Sequence, residues 1–334
     1  MASRLFKGLR PPRRVEERIW VWSPIAIPFQ GTGLLRNLNC ALLSISLLFW
    51  LRVLGIKREV MWTYNPMTTA LFPLRKFVKT VYHCVDEIKA QPGMPVKEIQ
   101  DAEFDLLRRA HLCFVTSRNL LRTRQTLNPN THYLPNVADF LHFSQARSET
   151  TSLPKDLAIV PTPRIGFVGA ISGYKLDFQL IAKIARARPR WSILLIGKVG
   201  EGDPWTNVAA LREYRNIHFL GPRPYESLPS YLKGVDVAIL PSALNEYTRS
   251  MFPMKFFEYL AAGCPVVSTD LDALRDFAHV AVIAKNDDEF VAAIDDTLAG
   301  QYPSLDLRIA AAREHSYEVR TSRMLRLLDG TLDS

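Results

Sequence analysis

The second half of the chain alternates short apolar runs with amphipathic stretches at a steady pace. The runs Arg164–Val168, Ser192–Ile196, Ile217–Leu220, Val235–Leu240, Pro265–Ser268 and Val280–Ile283 are dense in Ile, Val and Leu, as strands covered on both faces are. Between them, Asp177–Arg188, Tyr225–Lys233 and Asp288–Leu298 carry apolar residues at helical spacing. Six strands with intervening helices predict a doubly wound parallel sheet.

The first half shows the same alternation with less contrast. Arg18–Ile27 contains a strand-like run, Leu34–Leu54 predicts a helix, and Glu59–Thr63 predicts a buried strand. Thr68–Phe72 starts a short helix that Pro73 ends. Val78–Cys84, Leu112–Val115 and Thr131–Leu134 read as strands, with helices at Pro95–Arg109 and Leu120–Gln125. Ala146–Pro163 is polar and Pro-rich without clear periodicity, the composition of a linker. The expected organisation is an α/β chain of two Rossmann-like doubly wound domains, 1–150 and 151–316. A terminal segment, 317–334, carries a helix over Tyr317–Leu328 that crosses back to the first domain. Nothing before Ile19 reads as a strand followed by a Gly-rich loop, so the first domain reads as short, as if truncated.

Charge changes this picture at one end. The chain carries a net +9, yet residues 1–80 alone hold 13 Lys/Arg against 3 Asp/Glu. An excess of that kind suggests an anionic partner. No nucleic-acid-binding motif accompanies it, so an anionic membrane surface or a lipid-diphosphate acceptor beside the apolar stretch Ala41–Leu51 is the expected partner. That stretch is bounded by Arg36 and Arg52 and is shorter than the roughly 20 residues a spanning helix needs. Cys40, Cys84, Cys113 and Cys264 show no paired spacing and fit reduced thiols in the cytosol. The expected location is cytoplasmic, peripheral at the inner face of the plasma membrane. No carboxylate cluster with metal-site spacing appears, so neither a metal nor a cofactor is expected.

The densest chemistry lies in Pro241–Thr269, which reads as a strand end, a polar loop, an amphipathic helix bearing Glu258, a turn at Gly263 and a second strand. A loop entering a helix N-terminus offers free N–H groups and the positive end of the helix dipole to an anion. A carboxylate further along that helix can reach the ribose of a nucleotide whose phosphates sit at the N-terminus. A carboxylate on a mostly apolar helix needs a partner, and Lys255, three residues earlier, can supply one. Pro253, Lys255, Glu258, Tyr259, Leu260, Ala261, Ala262, Gly263, Pro265, Val266 and Val267 resemble the signature of group 1 (family 4) GT-B glycosyltransferases. The likeness is greatest to the bacterial polysaccharide branch that includes teichuronic acid enzymes.

The resemblance implies a GT-B architecture and transfer of a sugar from a nucleoside diphosphate donor, a UDP-sugar, to a glycan or lipid-linked acceptor. It further implies retention of anomeric configuration without a metal. It implies that Glu258 holds the ribose and that Ser250, Met251, Lys175 and Lys255 surround the diphosphate. The family's first glutamate falls at Ser250, so Asn245, Glu246, Thr248 or Arg249 would replace its contact with the donor sugar. In doubly wound sheets ligands bind beyond the carboxyl ends of strands. That places Gly169 and Lys175 after the first strand of the second half, Gly197 after the second, and Gly221 and Arg223 after the third. Tyr82-His83-Cys84-Val85-Asp86 resembles a family segment in which His83 or Asp86 would orient or deprotonate the acceptor hydroxyl. Asn136 resembles the asparagine near the family's hinge. Two other classes stay open: a non-catalytic partner in a polysaccharide assembly complex, and a nucleotide-sugar epimerase of the same architecture.

Overall fold

The computed structural model describes residues 11–24, 33–57, 59–68 and 77–332. The chain is mixed α/β with parallel sheets. It divides into two compact units whose segments interleave. One comprises Met1–Cys84, Pro95–Phe114 and Arg124–Thr131; the other Val85–Met94, Val115–Thr123 and His132–Ser334.

The first unit begins with a small antiparallel pair, β1 (Arg13–Glu16) and β2 (Ile19–Val21), of which the sequence reading anticipated only the second. Residues 25–27 of the expected run lie outside the described residues, as does most of the expected helix Thr68–Phe72. Helix α1 (Gly33–Val53) follows, then β3 (Val60–Thr63), β4 (Lys79–Cys84), α2 (Val96–Arg109) and β5 (Leu112–Val115), whose last residue is assigned to the second unit. Of the next two elements, α3 (Arg118–Arg124) belongs to the second unit except for Arg124, and β6 (Thr131–Tyr133) to the second except for Thr131. The four-stranded sheet has the order β3-β4-β5-β6. One face of α2 buries Ile99, Glu103, Leu106 and Leu107. Glu103 is the charged exception, and Arg124 donates to both its oxygens, the shorter contact being 2.8 Å, while the Tyr82 hydroxyl donates at 2.8 Å. A buried carboxylate is tolerable here because each oxygen accepts from a donor.

The second unit is built on six parallel strands: β7 (Arg164–Val168), β8 (Ser192–Ile196), β9 (Ile217–Phe219), β10 (Val237–Leu240), β11 (Val266–Thr269) and β12 (Val282–Ala284). Their order is β12-β11-β10-β7-β8-β9. This is the doubly wound arrangement, and its direction of winding reverses between β7 and β10. Helices α5 (Phe178–Ala187), α6 (Leu228–Lys233), α8 (Lys255–Ala262) and α9 (Asp287–Leu298) follow the alternation read from the sequence. Expected boundaries move by a few residues. Tyr225–Lys233, for instance, opens as a 3-10 turn, Tyr225–Ser227, before α6 begins. The stretch read as a linker is partly packed: Ala146, Leu157 and Val160 are buried in the core of this unit. Its few apolar residues are used as anchors, which composition averages conceal.

Two details fix the functional end of this unit. The expected polar loop before Glu258 contains its own short helix, α7 (Glu246–Ser250), closed by a capping box between Asn245 and Thr248. Pro253 then separates α7 from α8, because it lacks an N–H and disfavours helical geometry at the preceding residue. At the other end of α8, Gly263 takes φ +87°, and the Cys264 N–H reaches back to the Tyr259 carbonyl at 3.0 Å. That closure requires a left-handed residue, for which glycine is suited. Helices α4 (Phe140–Ser144), α10 (Leu305–Glu314) and α11 (Tyr317–Leu332) also lie in the second unit, as do short helical turns at Lys155–Ala158 and Ala209–Arg212.

Candidate active site

Beyond the carboxyl ends of β7 and β10, where the winding reverses, lies a cavity of about 200 Å³. Phe167 and Gly169 line it from β7, Leu240 and Ser242 from β10, and Phe252 to Lys255 from the entry of α8. Asp86, Asn136, Lys175 and Tyr247 complete the polar part of the wall, and Met251 lines it with an apolar side chain.

The floor is made by strand exits laid side by side. The Gly169 N–H donates to the Ile196 carbonyl at 2.9 Å, and the Gly197 N–H donates to the Gly221 carbonyl at 3.0 Å. The contact between the first two loops leaves no room for a side chain. A Cβ on Gly197, whose φ is +153°, would sit 1.8 Å from the Gly169 carbonyl oxygen. Of the three glycines singled out from the sequence, Gly169 lines the cavity, while Gly197 and Gly221 support it from behind.

Helix α8 is oriented by hydrogen bonds at both ends of its first turns. Asn136 Nδ2 donates to the Phe252 carbonyl at 2.8 Å. The Tyr259 hydroxyl accepts from the Val168 N–H at 2.8 Å and lies 3.1 Å from the Val168 carbonyl, which ties the helix to the end of β7. No side chain caps the N-terminus at Met254, and of the first N–H groups beside the cavity that of Phe256 donates to the Pro253 carbonyl at 3.0 Å. A Cβ added to Gly169 would lie 3.7 Å from Lys255 Cε. Its ammonium forms an ion pair with Glu258 Oε2 at 2.9 Å and donates to Oε1 at 3.3 Å. Glu258 is 4% exposed, and Oε2, though close to the ammonium, has no donor aligned with it. Burial raises the Glu258 pKa, and the Lys255 charge opposes that rise.

A second polar group closes the far wall. Asp86 is pushed up to about 6 by burial, against the pull of the Lys175 charge and a hydrogen bond from the Tyr247 hydroxyl. The ammonium of Lys175 lies 5.3 Å from the Tyr174 ring centre and 5.8 Å from that of Tyr247. Asn245 Nδ2 donates to the Tyr174 carbonyl at 2.7 Å, and the Ala243 N–H to the Lys175 carbonyl at 3.0 Å. The loop bearing Lys175 is therefore locked to the α7 cap. Burial, then the Asp86 charge, raises the Tyr247 pKa, so its hydroxyl stays a neutral donor.

The remaining expected residues are placed differently. Thr248 is buried inside the α7 capping box, and Glu246 and Arg249 are exposed. Ser250 Oγ accepts from Asn119 Nδ2 at 2.8 Å, an interaction within the same unit. Arg223 is held by Asp156, whose carboxylate also accepts from the Tyr231 hydroxyl at 3.0 Å. His83 belongs to the first unit, where its ring packs against Tyr64 at 4.8 Å and against Trp62 and Phe114 at 6.0 Å. Sequence reasoning missed Tyr247 and Tyr174, and also His142. The last stacks on Tyr225 at 4.3 Å and lowers the Glu258 pKa through its charge. Tyr174 and Tyr247 do flank residues that were singled out, which is a usable signal; His142 has none.

A parallel sheet wound in this order belongs to the doubly wound α/β class, in which ligands bind beyond the carboxyl ends of the strands at the switch point. Residues 162–300 match the family model described as Glycosyl transferases group 1. TuaH of Bacillus subtilis, named as a teichuronic acid biosynthesis glycosyltransferase, is 32% identical over 139 residues. That match covers 40% of this chain and 34% of TuaH, so the chain spans about a third of the curated relative it matches. The fold is that of GT-B glycosyltransferases. Sucrose-phosphate synthase from Thermosynechococcus elongatus superposes with a TM-score of 0.69 at 17% identity, covering 97% of this chain and 86% of that one. Anabaena HepE in complex with UDP-glucose superposes with a TM-score of 0.64 at 15% identity, covering 81% and 79%.

Proposed function

We propose that the protein is a glycosyltransferase that takes a sugar from a UDP-linked donor. The observation that carries this reading is the cavity at the switch point, bounded by Lys175, Lys255 and the uncapped entry of α8, with Glu258 buried one turn along. The diphosphate occupies the cavity end near the two ammonium groups. The ribose hydroxyls donate to Glu258 Oε2, which is buried and lacks an aligned donor. The negative charge that develops on the departing diphosphate is stabilised by Lys175, Lys255 and the α8 N–H groups. The transfer retains anomeric configuration and uses no metal. The acceptor is a growing glycan or lipid-linked saccharide in cell-surface polysaccharide synthesis, presented at the cytoplasmic membrane face.

Asp86 and Tyr247 are the groups on the far wall. Near neutral pH, Asp86 is poised to accept a hydrogen bond or a proton from a sugar hydroxyl. Ser250, at the family's first glutamate position, favours a second reading: a sugar-nucleotide-binding partner without turnover. Release of UDP from a panel of UDP-sugars, with lipid-diphosphate-linked saccharides as acceptors and the product mass measured, decides between them. A product heavier by one sugar residue supports transfer. UDP binding without any product supports the partner reading.

A further inference from the structure

Helix α1 presents an apolar stripe to solvent. Leu38, Leu42, Ile45, Phe49 and Val53 are 47%, 45%, 68%, 55% and 57% exposed, whereas Asn39 and Leu43 are buried. At 100° per residue these five side chains fall within about 80° of arc, and Ala41 and Arg52 flank them on one side. The stripe runs about 22 Å along the helix. Contiguous exposed apolar surface of this extent on a soluble domain marks a contact surface.

The charges beside it indicate what covers it. From Arg18 to Arg58 the sequence holds five basic residues and no carboxylate. Arg52 lies in the last turn of α1; beyond the helix, Ile56 is 41% exposed and Lys57, an exposed side chain, lies 3.6 Å from the exposed carboxylate of Glu59. A second copy of the chain would bring two basic surfaces face to face, which is repulsive. An anionic lipid surface is complementary on both counts, taking apolar side chains into its acyl boundary and basic ones at its headgroups. No helix among the described residues is long and apolar enough to cross a membrane, so the geometry is that of a helix lying in the interface.

We propose that the exposed stripe of α1 docks the protein on an anionic bilayer, with Leu38, Leu42, Ile45, Phe49 and Val53 inserted and Arg52 and Lys57 at the headgroups. The inference stands apart from the nucleotide site, which lies in the other unit.

The test is flotation of the full chain with vesicles of pure phosphatidylcholine and of phosphatidylcholine with 30% phosphatidylglycerol. The wild type is expected to bind the anionic vesicles at least tenfold more strongly than the neutral ones, and to release several-fold at high salt. Ile45→Ser with Phe49→Ser is expected to weaken that binding at least tenfold. Both positions are more than half exposed, so the folded state loses little, and an unchanged melting temperature verifies this. Arg52→Glu, which leaves the apolar stripe in place, is expected to weaken binding to anionic vesicles only. Equal flotation of wild type and the double serine variant overturns the proposal, as does equal binding to both vesicle types. A wild-type dimer in sedimentation that the serine variant dissociates, with no flotation, also overturns it and assigns the stripe to a second copy.

Discussion

Gly197→Ala tests whether the strand exits beneath the cavity are as closely fitted as the geometry indicates. The new Cβ would lie 1.8 Å from the Gly169 carbonyl oxygen and 2.8 Å from the carbonyl carbon. Both atoms are backbone, so no rotamer change relieves the clash, and the Gly169–Ala170 loop must shift by more than 1 Å to reach about 3 Å contact. Overpacking costs about 1–3 kcal/mol, and φ +153° adds strain for any L side chain, so about 3 kcal/mol is expected. For a domain of this size that lowers Tm by roughly 6–12 °C. Gly169 and Ala170 line the cavity, so UDP affinity by calorimetric titration should fall at least tenfold. Gly300→Ala is the control: φ there is +86°, but nothing lies within 4 Å of the added carbon. It should cost only about 1 kcal/mol and leave UDP binding unchanged. A Gly197→Ala variant that melts like Gly300→Ala and binds UDP like wild type would refute the reasoning.

Other expectations follow from individual groups. The Asp86 pKa, raised from 3.8 to about 6 in the folded state, means that the folded chain holds a proton the unfolded chain has released between those values. Stability from this group is therefore complete below about pH 4 and lost as pH rises through 6. Asp86→Asn should gain on wild type by up to about 3 kcal/mol between pH 4 and 7 in denaturant titrations, and a pH-independent difference would contradict the assignment. Lys255→Met leaves the Glu258 carboxylate buried beside an apolar chain; UDP binding should fall at least tenfold at pH 8 and recover partly at lower pH as Glu258 takes up a proton. In the first unit, Arg124→Leu removes the donor to both Glu103 oxygens and should destabilise by about 3–5 kcal/mol in chemical unfolding, with UDP binding to the folded fraction retained.

Much of the second unit was legible in the sequence because its strands are covered on both faces and read as unbroken apolar runs. The Gly263 turn and the Glu258 helix were equally plain, since a left-handed cap and a lone carboxylate among Phe256, Phe257, Tyr259 and Leu260 are local signals. The α7 helix hid in a polar stretch, although its Asn245-to-Thr248 capping box was there to read. The proximity of Asp86 to Tyr247 was not legible. Those residues are far apart in sequence, and only the fold of the chain back on itself brings them together. The packing of His83 against Trp62, Tyr64 and Phe114 has the same origin: the pattern Tyr82 to Asp86 specifies a strand end but not which unit each residue joins. The interleaving of the two units along the chain likewise has no counterpart in composition.

The most direct measurement of the central claim is calorimetric titration of the protein with UDP, GDP and ADP, repeated on Glu258→Ala. The account predicts micromolar UDP binding, weaker GDP and ADP binding, and loss of at least tenfold in UDP affinity for the variant. A folded protein that binds none of the three, or a variant that binds UDP as tightly as the wild type, would contradict it.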